Sequence, residues 1–417
     1  MPTVAPTIKP PPARLVGVVC AAQVLVQIGA FFWPALLPGM MKLWQLTNSE
    51  AGWITASFYG AYMLAVPVLV TLTDRIDPKR VYLFGVAASV AGHLLFGLLA
   101  ESFWSALLLR ALTGVGWAGT YMTGLKLLAD RVDAKMMSRA TAGHAASIGI
   151  SGALSFATGD LIAGSAGWQT AFICAAGSAA VAWVLVALIV PAQTKAAATS
   201  PAGEALYDFR PVFRNRSAMA YAIAYGVHTL EMSALRGWGV AFLGYVALTT
   251  GADAGLLSPA IIATGLGLIG TFASVAGNEA AIRFGRKRLV ITAMLASILL
   301  GASIGFLGTL SYMLAALLLT LYGVVIWLDS SSLTAGTAGT AEPSRRGATL
   351  AVHSMLGYAG GFVGPLLVGW VLDGAGGMSR IAWGSSFLTV AVLMAGALII
   401  FCIIRPRELE GDKGRQE

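Results

Sequence analysis

Twelve stretches of roughly 20 residues run through this sequence with few or no charges, at 15–37, 51–73, 81–100, 103–128, 140–162, 169–191, 217–245, 255–280, 289–309, 313–335, 348–371 and 383–404. Inside a bilayer there is no water to satisfy backbone N–H and C=O groups, so a chain can cross only as helices or as a closed barrel. No stretch alternates with a period of two, which excludes a barrel. The expectation is an all-α membrane protein with twelve transmembrane helices. Only 11% of residues are charged and 57% are hydrophobic, against about 25% charged in soluble domains. Cys20, Cys174 and Cys402 lie in separate apolar stretches without metal-ligand spacing, so they read as small embedded hydrophobes.

Orientation follows from the basic residues. With the N-terminus inside, 22 of the 27 lysines and arginines fall on the inner side; only Lys42 and Arg380 fall in outer loops, and Arg110, Lys126 and Arg236 lie within helices. The expectation is a multi-pass protein of a bacterial inner membrane with both termini cytoplasmic. The net charge of +8 then reflects anchoring to the inner leaflet, not nucleic-acid binding. The proline-rich start, MPTVAPTIKPPPARL, reads as a cytoplasmic tail rather than a cleaved signal.

The second half of the chain repeats the first. TDRIDPKRV (73–81) after helix 2 aligns with IRFGRKRLV (282–290) after helix 8, pairing Arg75 with Arg283, Lys79 with Lys287 and Arg80 with Arg288. At the same offset Ala140-Thr141 matches Ala348-Thr349, Gly149 matches Gly357 and Gly152 matches Gly360. The expected organisation is a tail (1–14), a six-helix bundle (15–191), a polar linker (192–216), a second six-helix bundle (217–404) and a C-terminal tail (405–417).

Twelve helices in two related halves, with a basic signature after helices 2 and 8, resemble the major facilitator superfamily across essentially the whole chain. The family signature G-x-x-x-D-R-x-G-R-K-R is matched by Asp74, Arg75, Lys79 and Arg80, while Val70 and Asp77 replace its glycines. The second copy keeps Arg283, Gly285, Arg286, Lys287 and Arg288; Ile282 stands in the acid's place, and Glu279, one turn earlier, is expected to substitute. RALTGVG in helix 4 is similar to the family's R-x-x-x-G pattern through Arg110 and Gly114. The antiporter signature G-x-x-x-G-P is degraded in helix 5 and better kept as GGFVGP (360–365) in helix 11, so direction of transport stays open. The resemblance implies two bundles related by pseudo-twofold symmetry and a central path lined by helices 1, 4, 7 and 10. It also implies that Asp74, Arg75, Arg80, Arg283 and Glu279 form gating pairs on the inner side; their other reading is topology alone.

Intramembrane ionisable residues are costly and mark function by default. They fall on the helices named by the resemblance: Arg110 and Lys126 on helix 4, His228, Glu231 and Arg236 on helix 7, Asp329 on helix 10, with Gln23 and Gln27 on one face of helix 1. Arg110 shares a stripe with Gly114, Trp117 and Tyr121, which suits an anionic or flat group. Lys126 lies 16 residues on, near the inner end, where it gates or simply snorkels to water. His228 and Glu231, three apart, share a face and form the expected proton site, since a desolvated carboxyl favours its protonated form and imidazole exchanges protons readily. Asp329 either pairs with Lys126 or titrates as a second acid.

The reading is a secondary active transporter, not an enzyme, moving a small organic anion such as a carboxylate by proton-coupled alternating access, as a monomer and without a cofactor. No glycine-rich phosphate cradle is present to make it a nucleotide-driven pump. Expected substrate contacts are Arg110, Trp117, Tyr121, Gln23, Gln27, Arg236 and Tyr322. The rival is a proton-driven exporter of hydrophobic or cationic compounds, drawn by Glu231, Asp329 and an aromatic pocket. A non-transporting receptor or scaffold on the same fold is a remote third.

Overall fold

The computed structural model describes residues 11–193 and 209–412. The first ten residues of the expected tail, 194–208 of the expected linker and the last five residues lie outside it. The first half comprises α1 (Pro12–Gln27, then Phe32–Trp44), α2 (Asn48–Leu72), α3 (Pro78–Leu99), α4 (Phe103–Ala118, then Tyr121–Ala129), α5 (Ala134–Ala166) and α6 (Trp168–Ile189). The second comprises α7 (Arg216–Thr250), α8 (Pro259–Phe284), α9 (Arg286–Leu307), α10 (Tyr312–Leu328, then Ser330–Thr340), α11 (Arg346–Gly374) and α12 (Arg380–Ile404). The loops after α2, α4, α8 and α10 share one face, here the basic face; the other is the far face.

Helix starts follow local chemistry. Thr47 and Glu50 form a capping box before α2; Asp77, Asp133, Asn215, Ser258, Ser311 and Ser379 each accept a backbone N–H at the start of a helix, and prolines open α3 and α8. These bonds satisfy donors that the first turn leaves free.

Ten spans are long and apolar enough to cross a membrane among the described residues. The other two of the twelve are α4 and α7. They carry Arg110 with Lys126, and His228, Glu231 with Arg236, so the charges that mark them as functional also dilute their apolar character.

Three of the four polar helices are interrupted near mid-depth: α1 at Ile28–Phe31, α4 at Gly119–Thr120 and α10 at Asp329. A break inside a membrane frees backbone groups that must find partners. In α1, Arg110 Nη2 donates to the Ala30 carbonyl at 3.0 Å, and Phe31 N–H donates to Ser155 Oγ at 2.8 Å. The repeat pattern could not place these breaks, because what sustains them is contact with other helices.

Candidate functional site

Arg236, on unbroken α7, reaches the seam between the bundles. Its guanidinium carbon lies 5.1 Å from the ring centre of Phe31, at the α1 break, and 4.9 Å from that of Trp327, two residues before the α10 break. The Tyr59 phenol of α2 stands beside it. With Trp327, Phe156, Met232, Gly152 and Gly267 it lines a narrow slot of about 40 Å³, enough for a water or two. Gly267 brings α8 against α5: a Cβ there would stand 2.8 Å from that of Ala153. Among the described residues no carboxylate lies within ion-pair range of Arg236. Two aromatic rings cover this cation, and no acid among the described residues neutralises it.

His228 and Glu231, which share a helix face and are read as one proton site, meet different partners. Sharing a helix face does not make two residues partners when neighbouring helices offer better ones. Glu231 turns into the second bundle, where its Oε1 accepts from Ser297 Oγ at 2.5 Å and Tyr322 O–H at 2.7 Å. It borders a small apolar cavity with Trp238, Trp383 and Phe387. Tyr322, expected to contact substrate, instead holds this carboxyl. His228 Nδ1 faces Asp329 Oδ1 at 3.1 Å, in ion-pair range, while Asp329 Oδ1 and His228 Nε2 are buried without a hydrogen bond among the described residues. Tyr225 stacks on His228 (5.7 Å) and on His353 (3.9 Å), whose ring nitrogens meet Thr334 and Thr337. Asp329 does not pair with Lys126, which bonds Asp130 one turn along its own helix at 3.1 Å.

The polar residues of the first bundle meet partners within it, while Arg110 Nε and Nη1, Gln23 Nε2 and Gln27 Nε2 are buried without a hydrogen bond among the described residues. Arg110 is buried, bound to the α1 break, stacked 4.6 Å from Phe58 and absent from the slot lining. Trp117 packs on Phe58 at 4.8 Å and Tyr121 on His144. Gln23 Oε1 accepts from Tyr82 O–H at 3.2 Å, and Gln27 sits at the limit of a bond from Ser151, 3.5 Å. None of these five residues, read as substrate contacts, lines the slot, and Trp117 also meets Tyr358 of α11 edge-on at 6.3 Å.

The basic face also departs from expectation. Asp74, Arg75, Arg80, Glu279 and Arg283 are exposed. The buried ion pairs are formed by others. Asp77 accepts from Arg131 Nη2 at 2.5 Å, from Gln193 N–H at 2.7 Å and from Lys79 N–H at 3.0 Å. Lys79 Nζ in turn caps α6 through the carbonyls of Ala187 (2.8 Å) and Val190 (2.6 Å). In the second bundle the acid comes from the C-terminal tail, not from Glu279. Asp412 grips Arg286 through Nε and Nη2, both at 3.1 Å, and Glu408 accepts the backbone N–H groups of Arg286 and Lys287 at the start of α9. Asn278 adds a bond to Arg286 Nη1 at 3.0 Å. Both clusters tie elements of one bundle together, so they staple bundles rather than latch one to the other.

Burial alone would raise the Asp77 carboxyl; hydrogen bonds from Gln193, Arg131 and Lys79 outweigh it and hold the group below the ordinary carboxylate value. A group lowered in the folded state stabilises the fold above its unfolded pKa, near 3.9, and loses that contribution as pH falls through the folded value. Asp77→Asn is therefore expected to lower the melting temperature at pH 7, with the gap to wild type closing below about pH 4. Arg131→Ala, which strands a buried carboxylate, is expected to be worse, on the order of 3–5 kcal/mol. A melting temperature unchanged in both would show that the cluster carries no stability.

The family model of the Major Facilitator Superfamily matches residues 19–335. The chain belongs to the major facilitator superfamily. It is a membrane transporter, not an enzyme. Among curated relatives, "Protein spinster homolog 1" of Bos taurus is 26% identical over 406 residues, covering 90% of this chain and 75% of that protein. The Homo sapiens protein of the same name is 27% identical over 243 residues, 55% of this chain and 46% of its own length, so that match spans about half of the relative. A crystal structure of a bacterial homolog of the human lysosomal transporter Spinster, inward-facing and occupied, superposes with a TM-score of 0.77 at 14% identity, covering 96% of this chain and 98% of the other. A crystal structure of a point mutant of the nucleoside transporter NupG gives 0.74 at 14% identity over 93% and 99%. At that identity the likeness is one of fold.

The superfamily's all-α fold of twelve helices in two bundles is thus as expected. Phe31, Tyr59, Trp327 and Ser297 are not singled out by the sequence; only the position of Trp327, beside Asp329 on a polar helix, gives any signal.

Proposed function

We propose that this superfamily member carries a small organic anion, such as a carboxylate, by alternating access coupled to protons, with its termini on the cytoplasmic side of a bacterial inner membrane and a single chain as the working unit. The observation that carries the reading is Arg236: a cation at the seam of the bundles, covered by Phe31 and Trp327, with no carboxylate in ion-pair range among the described residues. Leaving a charge so placed is costly, and an anionic solute offsets that cost. With rings over the guanidinium and the Tyr59 phenol beside it, the rest of its N–H edge is left to bind, and that edge matches a planar carboxylate. His228 with Asp329, and Glu231 with Tyr322 and Ser297, are the proposed proton carriers. Both groups border the same bundle as Arg236, so substrate charge and proton occupancy act on one set of helices.

The rival reading, export of hydrophobic or cationic compounds, draws support from the stacked rings of Tyr62 and Tyr358 (3.7 Å) next to Trp117. A weak relative, "Multidrug resistance protein 3" of Bacillus subtilis, is 27% identical over 29% of this chain.

A thermal-shift screen of the purified protein separates the two. Ligand at 100 times its Kd adds about 2.7 kcal/mol to apparent stability. Carboxylates are expected to raise the melting temperature of wild type and not of Arg236→Ala. A screen in which only lipophilic cations do so would favour the rival.

A further inference from the structure

At the far face the last turn of α11 meets the first turn of α2 from the other bundle. Asp373 Oδ1 accepts from Asn48 N–H at 3.1 Å and from Asn48 Nδ2 at 2.7 Å, and Oδ2 accepts from Ser49 N–H at 2.7 Å. Asn48 and Ser49 are the first two residues of α2, whose own cap, Thr47, already serves the N–H of Glu50. Asp373 thus satisfies two further donors of that turn and places a negative charge at the positive end of the helix. The cap is supplied in trans, from 324 residues away in sequence.

The surrounding contacts make the junction tight. A Cβ at Gly369 would collide with the Asn48 carbonyl, and one at Gly52 would meet the Pro365 carbonyl at 2.7 Å, so the two helices touch backbone to backbone. Trp53 of α2 lies edge-on to Trp370 (6.4 Å) and Phe362 (5.7 Å) of α11. Deeper in, Tyr62 and Tyr358 continue the α2–α11 seam. Along α2 and α11 these contacts close the far-face end of the seam.

We propose that Asp373 is the gate residue of the far face, holding the two bundles closed there by capping α2, and that release of this carboxylate from Asn48 and Ser49 is a required step in opening that face. Asp373 acts as a positioning residue: it touches no part of the Arg236 slot. This gate is independent of which solute is carried and of proton coupling.

The test uses full-length protein in lipid nanodiscs, with Cys20, Cys174 and Cys402 replaced by serine and spin labels at Glu101→Cys and Leu256→Cys. These are exposed far-face positions, one in each bundle. Pulsed electron paramagnetic resonance then reads the distance between bundles. Asp373→Asn keeps one acceptor and loses the charge; it is expected to raise the ratio of long to short distances by roughly twofold to tenfold, the range for loss of one hydrogen bond. Asn48→Asp is the more telling variant. An acid in the first turn suits α2 itself, so its melting temperature is expected to stay near wild type, while repulsion from Asp373 opens the face. Combining Asn48→Asp with Asp373→Asn exchanges the carboxylate and the amide and is expected to bring back the short distance. A cap that served only the stability of α2 would not produce this pattern. Distances unchanged from wild type in both single variants, with both proteins folded, would overturn the proposal. So would a double variant that opens as far as Asn48→Asp alone.

Discussion

Arg236→Ala is expected to abolish uptake of an anionic solute into proteoliposomes and to weaken its binding by about thirtyfold or more. The estimate rests on the loss of a desolvated, hydrogen-bonded charge partner, about 2–5 kcal/mol, at tenfold per 1.4 kcal/mol. Alanine also removes the contacts of the guanidinium with Phe31 and Trp327, each worth on the order of 0.5–2 kcal/mol, so some loss of stability should accompany it. Arg236→Lys distinguishes the two effects. It keeps the charge and much of the packing but not the planar N–H fork. Its melting temperature is expected to stay close to wild type, while affinity for a carboxylate falls well below it. Full uptake by both variants would remove the anion reading.

The second large effect is expected at the buried acids. Asp329→Asn conserves shape but removes the carboxyl that faces His228 at 3.1 Å. Accumulation of solute driven by a pH gradient should disappear, while exchange of labelled for unlabelled solute, which needs no net proton movement, should continue. His228→Gln should act in the same direction. Glu231→Gln is the informative companion, because the amide oxygen can still accept from Ser297 and Tyr322 and the packing should survive. Uncoupling by Glu231→Gln but not by Asp329→Asn would assign the proton to Glu231 alone. Accumulation at the wild-type level in all three would leave no intramembrane acid of the second bundle with a coupling role.

The spans, the two related halves and the choice of polar helices are legible because each depends on short-range pattern: runs of apolar residues, a shared offset, charges where none should be. Partners are not. The spacing of His228 and Glu231 says that they share a face, but neighbouring α9 and α10 decide which group each one meets. Arg110 reads as free for substrate because the α1 break, whose Ala30 carbonyl it caps, has no signature beyond a glycine. Asp77 stands in the sequence only as the replacement of a family glycine, yet Arg131 and Gln193 converge on it from two distant turns. The C-terminal tail reads as a plain polar end, and its Glu408 and Asp412 bind the start of α9. Asp373 carries no local signal for the same reason: its partners lie in the other half of the chain.

Uptake of labelled small carboxylates by wild-type protein in proteoliposomes, under an imposed pH gradient, tests proton-coupled anion transport most directly. Accumulation above equilibrium is expected for at least one of them, abolished by a protonophore and absent in Arg236→Ala. Failure of every carboxylate to accumulate, together with gradient-driven movement of a lipophilic cation that Arg236→Ala leaves intact, would refute it.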